Sequence, residues 1–294
     1  MKEDASSPTV SYDSLILSCA IDAHEGRNVI TADIPGAFLQ SKLADDEEIL
    51  IVLREKLAAL FCKTNPAKYD PHLKYDRKKN EHYIYGSLKK SLYGTLQAAL
   101  RFWEDLTNFL KEQGFERNEY DWCMDGSQET ILFHVDDLKI SHRSNSLLKN
   151  TLDQLSKRYG KIKDLTVSYG KDHELIGVTF DFSEGGKLKV KMDDYVEEIL
   201  ESADQLLLDK RRDQVKPPAG TALFDIDESA ASLDLEKSDQ FRTKSAKLLY
   251  LAPRGRLVIM AAVSFLCTRV QQPSVEKLSR VLRYLCLKLR NFRV

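Results

Sequence analysis

The chain has 294 residues, 43% apolar and 9% aromatic, enough to bury a sizeable core as one large domain or two to three lobes. Its formal charge of −1 predicts no nucleic-acid partner by itself, so what matters is where the charge sits. Five scattered cysteines without a C-x-x-C pair suggest neither a disulfide framework nor a zinc site, and they fit a reducing intracellular setting.

In chain order, Met1 to Val10 shows no basic-then-apolar signal pattern. Ser11 is placed to cap a helix over 12–24 that Gly26 stops. Asn28 to Asp33 reads as a strand ended by Pro35-Gly36, and Ile49 to Leu53 as a second strand. Residues 63–82 hold Pro66, Pro71 and many charges, which predicts an exposed insertion. From Thr95 to Gln113, Leu96, Ala99, Leu100, Trp103, Leu106 and Leu110 recur at helical spacing until Gly114. Thr130 to Ser141 is an apolar, β-rich run broken by two aspartates, which predicts a hairpin. Asn145 is expected to cap a helix with Leu148, Leu152, Leu155 and Tyr159 on one face. His173 to Phe182 and Lys187 to Lys191 flank a turn at Ser183-Glu184-Gly185-Gly186. Residues 204–238 read as a charged loop or linker, followed by helices near 239–251, 256–270 and 274–290. Leu257 to Cys267 is the longest apolar run; it falls short of the ~20 residues a bilayer span needs and reads as a buried helix. Mixed strands and helices followed by an all-helical end predict an α+β fold with a helical appendage.

Charge is unevenly placed. Residues 139–163 carry seven basic side chains (Lys139, Arg143, Lys149, Lys157, Arg158, Lys161, Lys163) against Asp153. Residues 276–294 carry six against Glu276, with Arg280, Arg283 and Arg290 opposite an apolar helix face. Either stretch is equally readable as a solvated helix face.

The sharpest local feature is Phe133-His134-Val135-Asp136-Asp137-Leu138. Strands disfavour aspartate, and a buried unpaired carboxylate is expensive, so a pair of them inside an apolar run needs a reason. A tight turn can present both to one ion; a plain Asp-Asp turn is the other reading. Asp33, at the end of its own strand, suits the same template or a simple turn or capping role. Carboxylates from two neighbouring strands can hold two divalent ions for phosphoryl transfer, and oxygen ligands completed by substrate phosphates suit magnesium.

Longer motifs carry a resemblance. Thr31-Ala32-Asp33-Ile34-Pro35-Gly36-Ala37-Phe38-Leu39-Gln40 is similar to the "D-x-x-x-A-F-L" segment of copia-type retrotransposon reverse transcriptases. Leu88-Lys89-Lys90-Ser91-Leu92-Tyr93-Gly94-Thr95-Leu96-Gln97-Ala98-Ala99 resembles their "L-K-K-S-L-Y-G-L-K-Q-A-P", and His134-Val135-Asp136-Asp137 their "Y-V-D-D". Glu174-Leu175-Ile176-Gly177-Val178, Lys247-Leu248-Leu249-Tyr250-Leu251 and Arg280-Val281-Leu282-Arg283-Tyr284-Leu285 match later segments in family order.

The resemblance implies an RNA-directed DNA polymerase with a right-hand fold: an antiparallel palm sheet with packed helices, partial fingers and a helical thumb-like end. It implies partial fingers and palm over 1–203, a linker over 204–238 and thumb or connection helices over 239–294. Asp33, Asp136 and Asp137 match the catalytic aspartates that bind two Mg2+ ions, with Mn2+ as the alternative. Phe38 matches the residue that rejects a ribose 2′-hydroxyl; Gly94 and Gln97 lie in the segment facing the incoming base pair. Lys89, Lys90, Arg280 and Arg283 are implied to contact nucleic-acid backbone, and the basic stretches 139–163 and 276–294 to hold the primer–template backbone. Implied partners are an RNA or DNA template with its primer, deoxynucleoside triphosphates and other segments of the same polyprotein. The implied setting is cytoplasmic, in virus-like particles, without a membrane.

The chain departs from the pattern in places. Only Met1 to Val10 precedes the match, no ribonuclease H segment follows it, and Arg254-Gly255-Arg256-Leu257-Val258 stands where "T-R-P-D-I" is expected. Ala99 replaces a proline. These features predict a fragment of a larger polyprotein, and they leave open a truncated, catalytically inactive relic that at most binds nucleic acid. An unrelated metal nuclease or phosphatase would not explain Leu88 to Ala98.

Overall fold

The computed structural model describes residues 7–43, 48–95, 97–121, 124–125, 129–202, 217–220, 223–225, 234–271 and 275–291. Its contacts divide the chain into two compact units, Met1–Tyr169 and Gly170–Val294. This division falls inside the stretch 1–203 of the sequence reading. The strands that follow it pair with one another, and the next helix packs on the C-terminal helices.

The first unit opens with helix α1 (Tyr12–Glu25). Ser11 caps it by accepting a hydrogen bond from the Ser14 amide, and Gly26 ends it in the left-handed region at φ 63°. Strand β1 (Asn28–Asp33) follows, then a single 3-10 turn at Ala37–Leu39. Residues 48–87 build a small subdomain from β2 (Leu50–Arg54), α2 (Glu55–Thr64), α3 (Pro66–Tyr69), β3 (Lys74–Asp76) and β4 (Glu81–Ser87). Its three strands pair in the order β2-β4-β3. The stretch 63–82 is therefore more regular than an insertion loop. Its elements are short and mostly exposed, and Ala58 and Ile84 supply the little buried apolar surface, so periodicity had little to show.

Helix α4 (Ala98–Glu112) buries Ala98, Phe102, Leu106 and Leu110. The sequence pattern favoured Trp103 over Phe102; Trp103 instead sits at the margin with the Arg117 guanidinium 5.8 Å over its ring. Strands β5 (Met124–Asp125), β6 (Thr130–His134) and β7 (Asp137–His142) precede α5 (Asn145–Tyr159), whose N-cap position is Ser144 rather than Asn145. β8 (Thr166–Ser168) completes an antiparallel sheet of order β5-β6-β7-β1-β8. The Tyr159 ring packs edge-on against Phe102 and Phe109, centroids 5.9 and 5.6 Å apart, and joins α5 to α4. Burial, then the neighbouring Asp105 carboxylate, pushes the Tyr159 hydroxyl well above the ordinary phenol range.

The second unit starts with β9 (Asp172–Leu175), β10 (Val178–Asp181) and β11 (Lys189–Lys191). What read as one strand over 173–182 is a hairpin, because Ile176 and Gly177 both take positive φ (51° and 68°). Apolar residues on both sides of Gly177 concealed that turn. The turn at 183–186 is where the sequence placed it, with Gly186 at φ 72°. Helices α6 (Asp193–Glu201), α7 (Leu235–Gly255), α8 (Met260–Thr268) and α9 (Val275–Asn291) form a bundle. Its core is Leu248, Leu251, Ala262, Val263, Leu266, Leu278, Val281, Leu282 and Leu285. Leu257 and Val258 begin the apolar run in a 3-10 turn and are 70% and 56% exposed, and burial starts at Ile259 and falls on Ala262, Val263 and Leu266, with Ala261 and Ser264 exposed between them. Arg254 stacks on Tyr250 at 3.9 Å and Arg256 pairs with Asp193 at 2.9 Å, which gives the departures at 254–256 structural work. Most of 204–238 lies outside the described residues; Leu223 is buried, and Asp234 caps α7 by accepting from the Lys237 amide. Among the described residues no helix is long and apolar enough to cross a membrane.

Asp181 pairs with Lys191 at 2.6 Å and next accepts from the Ser183 amide, which together hold its carboxyl far below the ordinary range. A depressed folded pKa contributes stability above the unfolded value and loses it as pH falls. Asp181→Asn is therefore expected to lower the melting temperature at neutral pH, with the gap to the parent closing as pH drops through and below the carboxylate range in a melting series.

Candidate active site

β1 and β7 are central strands, buried on both faces over Val29–Ala32 and Leu138–Ser141. Their antiparallel register sets Asp33 directly opposite Asp137. Such partners share a face, with Cβ atoms typically ~4.5–5.5 Å apart. β6 and β7 form a hairpin closed at His134 and Asp137, leaving Val135 and Asp136 as its two-residue loop. Val135 takes φ 59°, a conformation that tight hairpin loops need and β-branched residues resist at a cost of about 1–3 kcal/mol. The Ile34 amide donates to the Asp136 carbonyl at 3.1 Å, so the chain leaving β1 clasps the hairpin turn. Asp33 and the adjacent Asp136-Asp137, about a hundred positions on, thus come to one end of the sheet.

Electrostatics agree with this convergence. Burial, and next the charge of Asp136, push the Asp33 carboxyl up, while Lys163 pulls it down. Tyr93 responds to the same charges: burial, then Asp136, then Asp33 raise its hydroxyl pKa. Tyr93 is half-exposed and its ring lies 4.5 Å from that of Phe38, which also meets Phe102 at 6.3 Å. The segments carrying Phe38 and Tyr93 are joined by the Ser91 amide donating to the Ser41 carbonyl at 3.1 Å and by a backbone bridge between Lys42 and Lys90. The resulting aromatic wall stands beside the carboxylates.

Gly94 sits next to Tyr93 at φ 90°, where a side chain would be strained even though a Cβ would meet nothing within 4 Å. Gln97 precedes α4, and its amide oxygen is buried with no hydrogen-bond partner among the described residues. Lys89 and Lys90 are exposed. Arg280 and Arg283 belong to the second unit and are half-buried there. The Arg283 Nε–H donates to the Ser279 carbonyl at 3.3 Å, and the Arg280 Nη1 lies 3.2 Å from where a Gly220 Cβ would stand.

The basic run at 139–163 is not one nucleic-acid face. Lys139 is fully buried against Asp22, Arg143 pairs with Glu25 at 3.5 Å and Arg158 with Asp105 at 2.6 Å. Lys163 remains exposed and acts on Asp33. In the run at 276–294, Lys277 donates to the Leu223 carbonyl and lies 4.8 Å over the Phe265 ring. The side chains of Lys288, Arg290 and Arg293 lie outside the described residues. Residue spacing gave Tyr93 no role of its own and counted Lys163 only as one of the seven basic side chains of its run. Tyr93 stood inside the Leu88–Ala99 motif, which is the signal that would have found it.

Among the described residues no three His, Cys, Asp or Glu side chains are grouped closely enough to hold a metal ion on their own. Magnesium is usually held by one or two carboxylates, with waters and substrate phosphates completing the octahedron. Asp33 and Asp137, facing across the strands, with Asp136 in the adjoining turn, could supply such carboxylates.

Comparison with known proteins agrees with the motif reading. A family model described as "Reverse transcriptase (RNA-dependent DNA polymerase)" matches residues 2–210. A transposon Ty5-1 protein of Saccharomyces cerevisiae is 28% identical over 228 residues, 72% of this chain and 70% of that protein. The retrovirus-related Pol polyprotein from transposon RE1 of Arabidopsis thaliana is 25% identical over 287 residues, 95% of this chain. The chain spans only 17% of that polyprotein's length. Among solved structures, a telomerase from Candida albicans in complex with a TWJ fragment of telomeric RNA covers 97% of this chain and 48% of its own, at a TM-score of 0.37 and 10% identity.

Proposed function

Because the chain belongs to the reverse transcriptase (RNA-dependent DNA polymerase) family, we propose that it extends a primer by templated transfer of deoxynucleotides, in the manner of a copia-type element. The observation that carries the reading is the register that faces Asp33 with Asp137 while the Ile34–Asp136 hydrogen bond holds the turn beside them. Asp33, Asp136 and Asp137 would hold two Mg2+ ions, which when bound supply a lowered pKa at the primer hydroxyl and neutralise the leaving pyrophosphate. The protein's own contribution is to hold the reacting groups in a fixed, partly desolvated position. In this reading, Phe38 packs under the sugar of the incoming nucleotide, backed by Tyr93, and Gly94 and Gln97 face the nascent base pair. The buried, unpartnered oxygen of Gln97 is an acceptor in search of such a donor. Lys89, Lys90 and Lys163 supply positive charge for phosphates, which makes binding salt-sensitive and sequence-independent. Arg280 and Arg283 are retained as backbone contacts of the second unit. The palm is the sheet of the first unit and the thumb the bundle of the second. The natural setting is a larger Pol polyprotein in cytoplasmic virus-like particles.

Primer extension on an RNA template with Mg2+ tests the reading. Incorporation that depends on template and on all three aspartates is expected; template binding without extension would overturn it in favour of a non-catalytic relic. Phe38→Ala is expected to raise ribonucleotide incorporation relative to deoxynucleotide by roughly 10–100-fold, the scale of losing one steric contact. The ratio of kcat/KM for the two nucleotides checks it.

A further inference from the structure

A charged pair with no part in nucleotide chemistry lies behind the aspartates. The Lys139 ammonium, 0% exposed, donates to the Asp22 carboxylate and to the Ser18 hydroxyl at 2.8 Å, both on α1. Asp22 is itself 1% exposed. A buried ion pair is weak evidence for stability, since apolar residues of similar volume are often as good or better. Its presence therefore needs another reason.

The strands give one. Register is ordinarily set by alternation of apolar and polar residues, because a one-residue slip turns every side chain to the opposite face. β1, β6 and β7 lack that signal: Val29–Ala32, Thr130–Phe133 and Leu138–Ser141 are buried on both faces. An apolar strand of this kind packs almost equally well one residue out of place. The hairpin loop adds strain rather than guidance, since Val135 is held at φ 59°. Lys139 breaks the degeneracy. It stands two residues beyond Asp137 in β7, opposite Thr31 and on the same strand face, since side chains repeat every second residue. A slip by one residue would carry the ammonium away from Asp22 and Ser18 and strand two buried charges. The same slip would separate Asp137 from Asp33.

We propose that Lys139, with Asp22 and Ser18 of α1, is a positioning element that fixes the β7–β1 register and so places the aspartate pair opposite Asp33. The inference rests on the polymerase reading for its consequence, but its register claim stands apart from activity.

The test uses the full chain. Lys139→Met combined with Asp22→Leu removes both charges and fills their space with apolar side chains. The expected result is a melting temperature equal to or above the parent's, with cross-strand NMR contacts between β1 and β7 split into more than one register. Primer extension should fall at least tenfold in kcat with little change in KM. Lys139→Arg, which keeps charge and donors, should retain one register and restore most of the rate. A double variant with a single parental register overturns the proposal. If that variant unfolds, Lys139→Gln with Asp22→Asn, which keeps a hydrogen bond without charge, decides instead: mixed register supports the proposal and a single parental register overturns it. Absence of extension by the parent would count against the polymerase reading alone, leaving the NMR readout to decide this one.

Discussion

Asp136→Asn is expected to lower primer extension by roughly 10³-fold or more while the chain stays folded. A carboxylate that shares a metal site supplies several kcal/mol of charge stabilisation at the reacting phosphate, and about 4 kcal/mol corresponds to that factor. The fold should survive because Asp136 lies in the hairpin loop, half-buried, and the hydrogen bond that ties the loop to Ile34 uses its backbone carbonyl. Removing its charge also relieves the repulsion that raises the Asp33 carboxyl, so the melting temperature should hold or rise slightly. Single-turnover extension and a melting curve on the same preparation check both halves. Retained extension would remove Asp136 from the site. Asp33→Asn and Asp137→Asn should behave alike, since the three act as a unit and their effects are not additive.

The largest loss of stability is expected from Asp22→Leu alone. It leaves the Lys139 ammonium fully buried with the Ser18 hydroxyl as its remaining acceptor at 2.8 Å. Breaking one side of such a pair typically costs about 3–5 kcal/mol. For a cooperative unit of this size that is a fall in melting temperature of roughly 6–20 °C. Lys139→Met alone should cost less, because Arg27 stands 4.0 Å from the Asp22 carboxylate and partly answers its charge. Denaturant melts of the two single variants and the double variant form a cycle, and a double variant as stable as the parent would show that the cost belongs to the unpaired charge.

Much of the site could be read from the chain because it is written in short, local patterns. Asp33 ends a run of apolar residues and Asp136-Asp137 interrupts another, and only a turn at the end of a strand accommodates acids there. Likewise Ser11 and Gly26 mark the ends of α1 by cap chemistry that needs no tertiary partner. The motif around Tyr93-Gly94 was legible as a block, and the folded chain adds to it the contact of the Tyr93 ring with Phe38.

What the chain alone determined is which acids are candidates, the helices with strong caps or stripes, and membership of a polymerase family. What only the tertiary structure decided is which charges are available. Lys139 counts as one more basic residue in the sequence, but folding puts it against Asp22 inside the protein, whereas Lys163 from the same run stays exposed and acts on Asp33. The division at Tyr169 and the hairpin at Ile176-Gly177 were hidden for a related reason. Strand pairing and ion pairing depend on residues far apart in the chain, and no local periodicity reports which partner a strand or a charge will find.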